Sequence, residues 1–329
     1  MNTTFDKNLI ETFAGKRVLI TGGFGYIATA LVQLLKNVAC HIVRLDRQDA
    51  TPPPTNGEAE IEDISGDICD PSIWQKMLHK VDIVFHFAAQ TSTYAANGNP
   101  LIDAKVNVLP MLHLLETCRR NHWQPTVLFS STVTVIGIPS RLPVDETQTG
   151  QPITIYDLHK LMAEEYLKYY VHQGLLQGTV LRLSNVYGPG PKSSRTDRGI
   201  LNLMIRKALA GEPLTIYGTG NYLRDYIYIE DVARAFLMAA INIERINGRH
   251  FVIGSGQGHT ITEAINLVAD RTAIKTGRRV HVEHIEPKSL QSPIEARNFV
   301  ADSIQFSSIS GWKAVSTLAE GIDRTIEEG

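Results

Sequence analysis

Arg17-Val-Leu-Ile-Thr21-Gly-Gly-Phe-Gly-Tyr-Ile-Ala28 joins a short apolar run to a helical pattern through a cluster of three glycines. Residues 17–21 have the β-branched composition of a strand, and apolar residues recur at helical spacing over 26–35. Small residues at the junction let the backbone turn tightly and approach an anion, and the N–H groups that open the next helix point at it. Gly22 and Gly25 keep the first two positions of a G-x-x-G-x-x-[G/A] spacing, and Ala28 fills the third. Glycines in a turn are a weak signal alone. A strand before them and a helix after them make the reading a pyrophosphate cradle inside a βαβ unit.

Outward from this junction the alternation continues. His41-Ile-Val-Arg-Leu-Asp46 reads as a second strand, 61–65 as a third and 81–87 as a buried fourth. Further strands are expected at 126–130 and 179–183. Helical patterns cover 71–80, 101–121 and 154–170, with Pro110 kinking the second of these. Residues 49–57, which contain three consecutive prolines, read as a loop. Strands of this length alternating with helices specify a parallel α/β sheet. Beyond about 183 the pattern becomes irregular. Tyr187-Gly-Pro-Gly-Pro191 is a turn cluster, and 192–198 is a polar loop carrying Arg195 and Arg198. We expect a dinucleotide domain over 1–186, completed by about 225–256, and a smaller lobe over 187–329. Asp46 ends the second strand, where a carboxylate accepts the hydroxyls of an adenosine ribose. It would repel a 2′-phosphate and favours NAD over NADP. Arg47 beside it keeps the phosphate alternative open, because a guanidinium pairs with phosphate.

Composition sets the outer bounds. The 329 residues suggest about two domains. Lys and Arg number 32 against 34 Asp and Glu, a net charge of −2, with 43% hydrophobic and 20% charged residues. Those values fit a soluble globular protein and exclude a coiled coil, a collagenous chain or extensive disorder. They offer no excess of basic charge for nucleic acid. No stretch approaches the roughly 20 apolar residues of a membrane helix. Residues 1–16 hold Asp6 and Glu11 and no apolar block, unlike a secretory signal. Cys40, Cys69 and Cys118 are sparse and widely separated, which fits core fillers in a reducing cytoplasm. His86, His159 and His172 lack metal-ligand spacing, so no metal is expected. His159 reads as a solvated or capping residue.

In these motifs the chain resembles the extended short-chain dehydrogenase/reductase family, and within it the nucleotide-sugar epimerases and dehydratases. The resemblance runs from about 16 to 321. Tyr156-Asp-Leu-His-Lys160 resembles the family's Tyr-x-x-x-Lys pair. On a helix, i and i+4 share a face, so the ammonium can lower the phenol pKa toward that of a general base. Phe129-Ser-Ser-Thr132 ends the strand before that helix, and Thr132 resembles the catalytic Ser or Thr.

The resemblance implies a Rossmann-type doubly wound parallel sheet with a smaller, mixed α/β C-terminal substrate lobe. It implies bound NAD, a nucleotide-diphosphate sugar as substrate, and a homodimer built on the helices at 101–121 and 154–170. Cofactor contacts would come from Gly22, Gly25, Tyr26, Ile27, Asp46 and Arg47, and from Asp67 and Ile68 beside the adenine. Phe87, Ala88 and Ala89 would line the ribose, with Asn107, Ser130, Tyr156 and Lys160 completing the set. Substrate contacts would come from Gln90 and Thr132, from Asn185 in Arg182-Leu-Ser-Asn-Val-Tyr-Gly-Pro189, and from Tyr217. Arg224, in the Arg-Asp-Tyr block, and Arg297, ahead of Ala301-Asp302, would grip the diphosphate with planar forks. Ser292 stands where some relatives carry another Arg.

The resemblance further implies a shared opening step. Tyr156 as phenolate takes a proton from a sugar hydroxyl, usually at C4, while the C4 hydride passes to the nicotinamide. Lys160 holds the nicotinamide ribose, and Thr132 orients the sugar oxygen. Dehydratases of the family carry Asp-Glu after this Thr, and decarboxylases keep a Glu at the second place. Here Val133-Thr134 follows, and neither is a general acid or base at neutral pH. Elimination is disfavoured and C4 epimerisation is the expected reaction. The alternative is a nucleotide-sugar 4-reductase or dehydrogenase using the same residues, and more distantly a non-catalytic NAD-sensing protein. Ile136 and Thr91 depart from the Tyr and Lys of many relatives and leave the sugar open.

Overall fold

The computed structural model describes residues 3–47, 55–191, 199–286 and 296–328. Arg195, Arg198, Ser292 and the first part of the 49–57 loop lie outside the described residues. In chain order the strands are β1 (Arg17–Thr21), β2 (His41–Asp46), β3 (Glu60–Ser65), β4 (Ile83–His86), β5 (Thr126–Thr132), β6 (Gln177–Leu183), β7 (Asn185–Tyr187), β8 (Leu214–Tyr217), β9 (Leu223–Tyr228), β10 (His250–Ile253), β11 (Gly258–Thr260) and β12 (Val282–Ile285). The helices are α1 (Thr3–Phe13), α2 (Tyr26–Leu35), α3 (Pro71–Met77), α4 (Thr93–Gly98), α5 (Pro100–Asn107), α6 (Leu109–Asn121), α7 (Ile155–His172), α8 (Ile200–Ala210), α9 (Ile229–Ile241), α10 (Ile243–Ile246), α11 (Ile261–Thr276), α12 (Ile304–Ser310) and α13 (Leu318–Glu328). None of these is long and apolar enough to cross a membrane.

Seven strands form one parallel sheet in the order β10-β6-β5-β4-β1-β2-β3. Alternate residues of each strand feed opposite faces. Val18, Ile20, Ile42, Phe85 and Leu128 pack with α2 and α9 on one face. Leu19, Val43, Val84, Val127 and Phe129 pack with α3, α6 and α7 on the other. Both faces are covered, which is why the central strands read as continuous apolar runs. The edge strand β3 is half exposed, with Ile61 and Ile64 its only apolar residues. The seventh strand comes from beyond residue 186, since β10 pairs with β6. The remaining strands form a three-stranded sheet, β11-β9-β7, and a two-stranded one, β12-β8. With α8, α11 and α13 they enclose a separate core around Met204, Ile216, Ile265 and Ile322.

The expected single helix at 101–121 is two helices. Pro110 sits in the first turn of α6, where its missing N–H is no loss, and the chain breaks at Val108. The proline therefore starts a helix instead of bending one. Ahead of the first strand, α1 packs against α9.

The strand order reverses between β1 and β4, which pair Thr21 with His86. That reversal opens a crevice at the carboxyl ends of these strands, the place where doubly wound sheets bind ligands. Helix α7 crosses the sheet beside it and is held by a buried ion pair. Arg182 of β6 donates to both Glu164 oxygens, at 3.1 Å from Nε and 2.8 Å from Nη2. Ser131 of β5 donates to the same carboxylate. Leaving a buried charge without its partner costs about 3–5 kcal/mol. We predict that Glu164→Ala lowers the unfolding free energy by about that amount, measured by urea titration. A loss below about 1 kcal/mol, the scale of exposed pairs, would contradict it.

Candidate active site

The glycine junction closes the crevice from below. Gly22 has φ +65°, and a Cβ there would meet Ala88 N at 2.9 Å. The turn after β1 therefore lies directly on the segment that follows β4. At Gly23 a Cβ would meet Arg44 Cβ at 2.6 Å. Helix α2 starts at Gly25 with no side-chain cap, which leaves its first-turn N–H groups for an anion. Asp46 accepts from the Phe24 and Arg47 amides at 2.9 and 2.8 Å, which fixes its carboxylate at the mouth of the loop. Arg44 forks onto Asp63 at 2.7 and 2.8 Å. The residues present fit a dinucleotide: a side-chain-free cradle, a positive helix end and a carboxylate at the end of β2.

The other expected cofactor residues divide into those that face the crevice and those that build its walls. Phe87, Ala88 and Ala89 leave β4 half exposed beside the loop. Asp67 is exposed and bonds the Cys69 amide at 2.9 Å, and the buried Ile68 offers its carbonyl to Trp74. Tyr26 opens α2 and reaches the smaller lobe with its side chain. Its hydroxyl donates to Gly188 O at 2.7 Å and accepts from Asn202 at 3.1 Å, and burial raises its pKa well above normal. Ile27 is half buried and packs against the cores on both sides of α2. Asn107 is a clamp: it donates to Gln90 O at 2.8 Å and accepts from Gln90 N at 3.1 Å. The Gln90 amide turns inward, donating to Asp103 at 2.7 Å and Ser92 O at 2.8 Å.

Tyr156 and Lys160 lie one turn apart at the start of α7, both buried. Thr154 caps the helix by accepting from Asp157 N at 3.2 Å. Lys160 donates to Ser130 O at 2.6 Å and lies 4.1 Å from the Phe129 ring centroid, so α7 is stitched to the end of β5. Burial pushes the Lys160 ammonium down to about 7, against the pull of Glu164 and Asp103. His86, beneath it, bonds Thr21 Oγ1 at 2.8 Å and is held near 3, first by burial and then by Lys160. It is neutral at working pH. Thr132 ends β5, and its Oγ1 lies 2.9 Å from Thr134 Oγ1 in the short 3₁₀ turn that follows.

His159 is neither solvated nor a cap. It is buried, with Nδ1 at 2.7 Å from Asp103 Oδ2. Asp103, Glu164, Arg182 and Asp157 are the site-supporting residues that motif reading missed. Helical spacing held the signal for two of them: Asp103 stands four residues before Asn107, and Glu164 four after Lys160.

The expected substrate residues other than Gln90 and Thr132 come from the smaller lobe and the C-terminal segment. Asn185 is exposed at the start of β7, and Tyr217 is exposed at the end of β8. Arg224 and Arg297 lie together, with Arg224 Nη1 donating to Arg297 O. Burial lowers both guanidinium pKa values, and at Arg297 the Arg224 charge adds to the fall, to about 10. Asp157 bears on Arg297 through its charge, while the acids Asp225 and Asp231 are committed elsewhere. Asp225 accepts from Ser255, Gly256 and Ala301 amides at 2.8–3.0 Å, and Asp231 from Val315 and Ser316 amides at 3.2 and 3.0 Å. Two adjacent, desolvated guanidiniums suit an anion that arrives with the ligand. Among the described residues no His/Cys/Asp/Glu group could hold a metal ion.

A family model described as the NAD dependent epimerase/dehydratase family matches residues 18–254. A protein of Methanocaldococcus jannaschii named putative UDP-glucose 4-epimerase is 30% identical over 312 residues, 94% of this chain and 97% of its own. The solved UDP-glucose 4-epimerase of Thermotoga maritima, in complex with UDP-glucose, superposes with a TM-score of 0.82 at 28% identity, covering 95% of this chain and 98% of its own. The UDP-glucose 4-epimerase of Thermus thermophilus, solved with NAD, gives a TM-score of 0.81 at 27% identity, with 95% and 98% covered.

The shifted Lys160 has a measurable consequence. In the folded, dinucleotide-free chain its proton leaves as the pH rises through about 7. In the unfolded chain it stays until about 10.4. Between those values unfolding takes up a proton, so stability rises with pH across that window. Urea midpoints of the dinucleotide-free protein should therefore climb with pH relative to those of Lys160→Met. Parallel curves for the two proteins would show that Lys160 stays charged.

Proposed function

We infer the reaction from one premise: the chain belongs to the NAD dependent epimerase/dehydratase family. It is an NAD-dependent nucleotide-sugar epimerase. Bound NAD supplies the hydride acceptor and the hydride donor of the cycle. Gly22, Gly25 and the start of α2 would hold its pyrophosphate, and Asp46 its adenosine ribose.

In our reading Tyr156 is the base, taking the proton of the C4 hydroxyl and returning it at the end of the cycle. Lys160 lowers the phenol pKa by its charge and binds the nicotinamide ribose. Thr132 donates a hydrogen bond to the C4 oxygen. Arg224 and Arg297 bind the diphosphate, aided by Asn185, and Tyr217 meets the nucleobase of the substrate. The observation that carries this reading is that Lys160, one helical turn after the buried Tyr156, bonds Ser130 O two residues before Thr132. Val133 and Thr134 follow Thr132 in the 3₁₀ turn, and neither can remove a proton for elimination. That favours epimerisation over dehydration.

We also propose a homodimer. Leu101, Leu109, Leu158, Met162 and Tyr169 expose large apolar side chains on α5, α6 and α7. Exposed apolar faces of this kind mark protein contacts, and a two-fold axis lets one face meet itself. The free Cys40, Cys69 and Cys118 agree with a reducing, cytoplasmic setting.

The test is turnover of a panel of UDP-, dTDP-, CDP- and GDP-sugars with no added dinucleotide. We expect isomer formation by the protein as purified and its loss in Tyr156→Phe. Conversion only with stoichiometric added dinucleotide would move the reaction to net redox. For the assembly, Met162→Glu should halve the mass in sedimentation equilibrium. An unchanged mass would place the contact elsewhere.

A further inference from the structure

Asp157 follows Tyr156 in sequence, yet its carboxyl faces inward. It is fully buried, and neither oxygen has a partner in hydrogen-bond geometry. The Thr134 and Thr154 hydroxyls and the Arg297 guanidinium nonetheless stand close enough to act on its ionisation. Arg297 Nε is likewise buried without a partner. Thr154 already accepts from Asp157 N, and Thr134 from the 3₁₀ turn lies 2.9 Å from Thr132. The polar line Asp157, Thr134, Thr132 thus leads from the protein interior to the residue assigned to the sugar oxygen.

The reaction fixes the direction of that line. The C4 alcohol gives its own proton to Tyr156, and the ketone has none to give. In both halves of the cycle Thr132 must therefore donate to the C4 oxygen. Its own oxygen then accepts from Thr134, whose amide lies at 3.2 Å and whose hydroxyl lies at 2.9 Å. A Thr134 hydroxyl engaged that way has only lone pairs left for Asp157. We propose that Asp157 is a positioning residue that, as the neutral acid, donates to Thr134 and thereby points the Thr132 hydroxyl at the sugar oxygen.

Burial favours the neutral acid, while the Thr134 and Thr154 hydroxyls and then the Arg297 charge oppose it. A diphosphate on Arg297 neutralises the last of these. Anion binding in the smaller lobe then sets the hydroxyl line just when the sugar arrives. The inference rests on the roles given above to Thr132 and Arg297.

The experiment measures kcat and KM over a pH series for wild type, Thr134→Val, Thr134→Ser, Asp157→Asn and Asp157→Leu, with Tyr156→Phe alongside. Thr134→Val should lower kcat roughly 10- to 100-fold with KM little changed, the scale of a misplaced catalytic group. Thr134→Ser should restore it. The Asp157→Asn amide can still donate, so that variant should keep most of kcat and lose an alkaline fall that wild type shows. Asp157→Leu, if folded, should behave as Thr134→Val. Wild-type kcat in Thr134→Val, or equal damage in folded Asp157→Asn and Asp157→Leu, would overturn the proposal. Full activity in Tyr156→Phe would instead remove the underlying base assignment, so the two failures are distinguishable.

Discussion

The registration of α7 against the sheet depends on the buried pairing of Glu164 with Arg182. A helix start has no intrinsic reason to hold a phenol and an ammonium at a strand end. The carboxylate one turn after Lys160 takes both the β6 guanidinium and the β5 hydroxyl of Ser131, and so pulls α7 onto the two strands. Lys160 then reaches Ser130 O, with Tyr156 one helical turn before it. A buried ion pair gives little net stability over an apolar substitute. Its use here is geometric, because a bidentate pair tolerates little sliding of one element past another.

The same contrast separates the arginines. Arg44 and Arg182 meet acids inside the fold, at Asp63 and Glu164. Arg224 and Arg297 are desolvated beside each other while Asp225 and Asp231 serve backbone amides. Burial lowers the pKa of both guanidiniums, and in the proposed reading a diphosphate would be the anion that meets them.

Much of this was legible in the sequence because the patterns are local. The strand, glycine loop, helix and Asp46 lie within 30 residues, and their reading matches β1, α2 and β2 to the residue. Tyr156 and Lys160 share a helix turn, so spacing alone placed them together. What stayed hidden depends on distant partners. His159 read as solvated because nothing near it in sequence reveals Asp103, which lies 56 residues earlier. The Tyr26 hydroxyl likewise reaches Gly188, 162 residues on, a partner that no local pattern announces. The break at Val108 was half visible. Pro110 announced a disturbance, but only the first-turn position of the proline makes it a new helix.

The central claim is that one hydride leaves C4 and returns to the same carbon, with Tyr156 handling the proton. The most direct measurement uses a nucleotide sugar carrying deuterium at C4, turned over by the protein as purified, with mass spectrometry of both isomers. The account predicts full retention of the label at C4 in both. Loss of deuterium to solvent during epimerisation would contradict it.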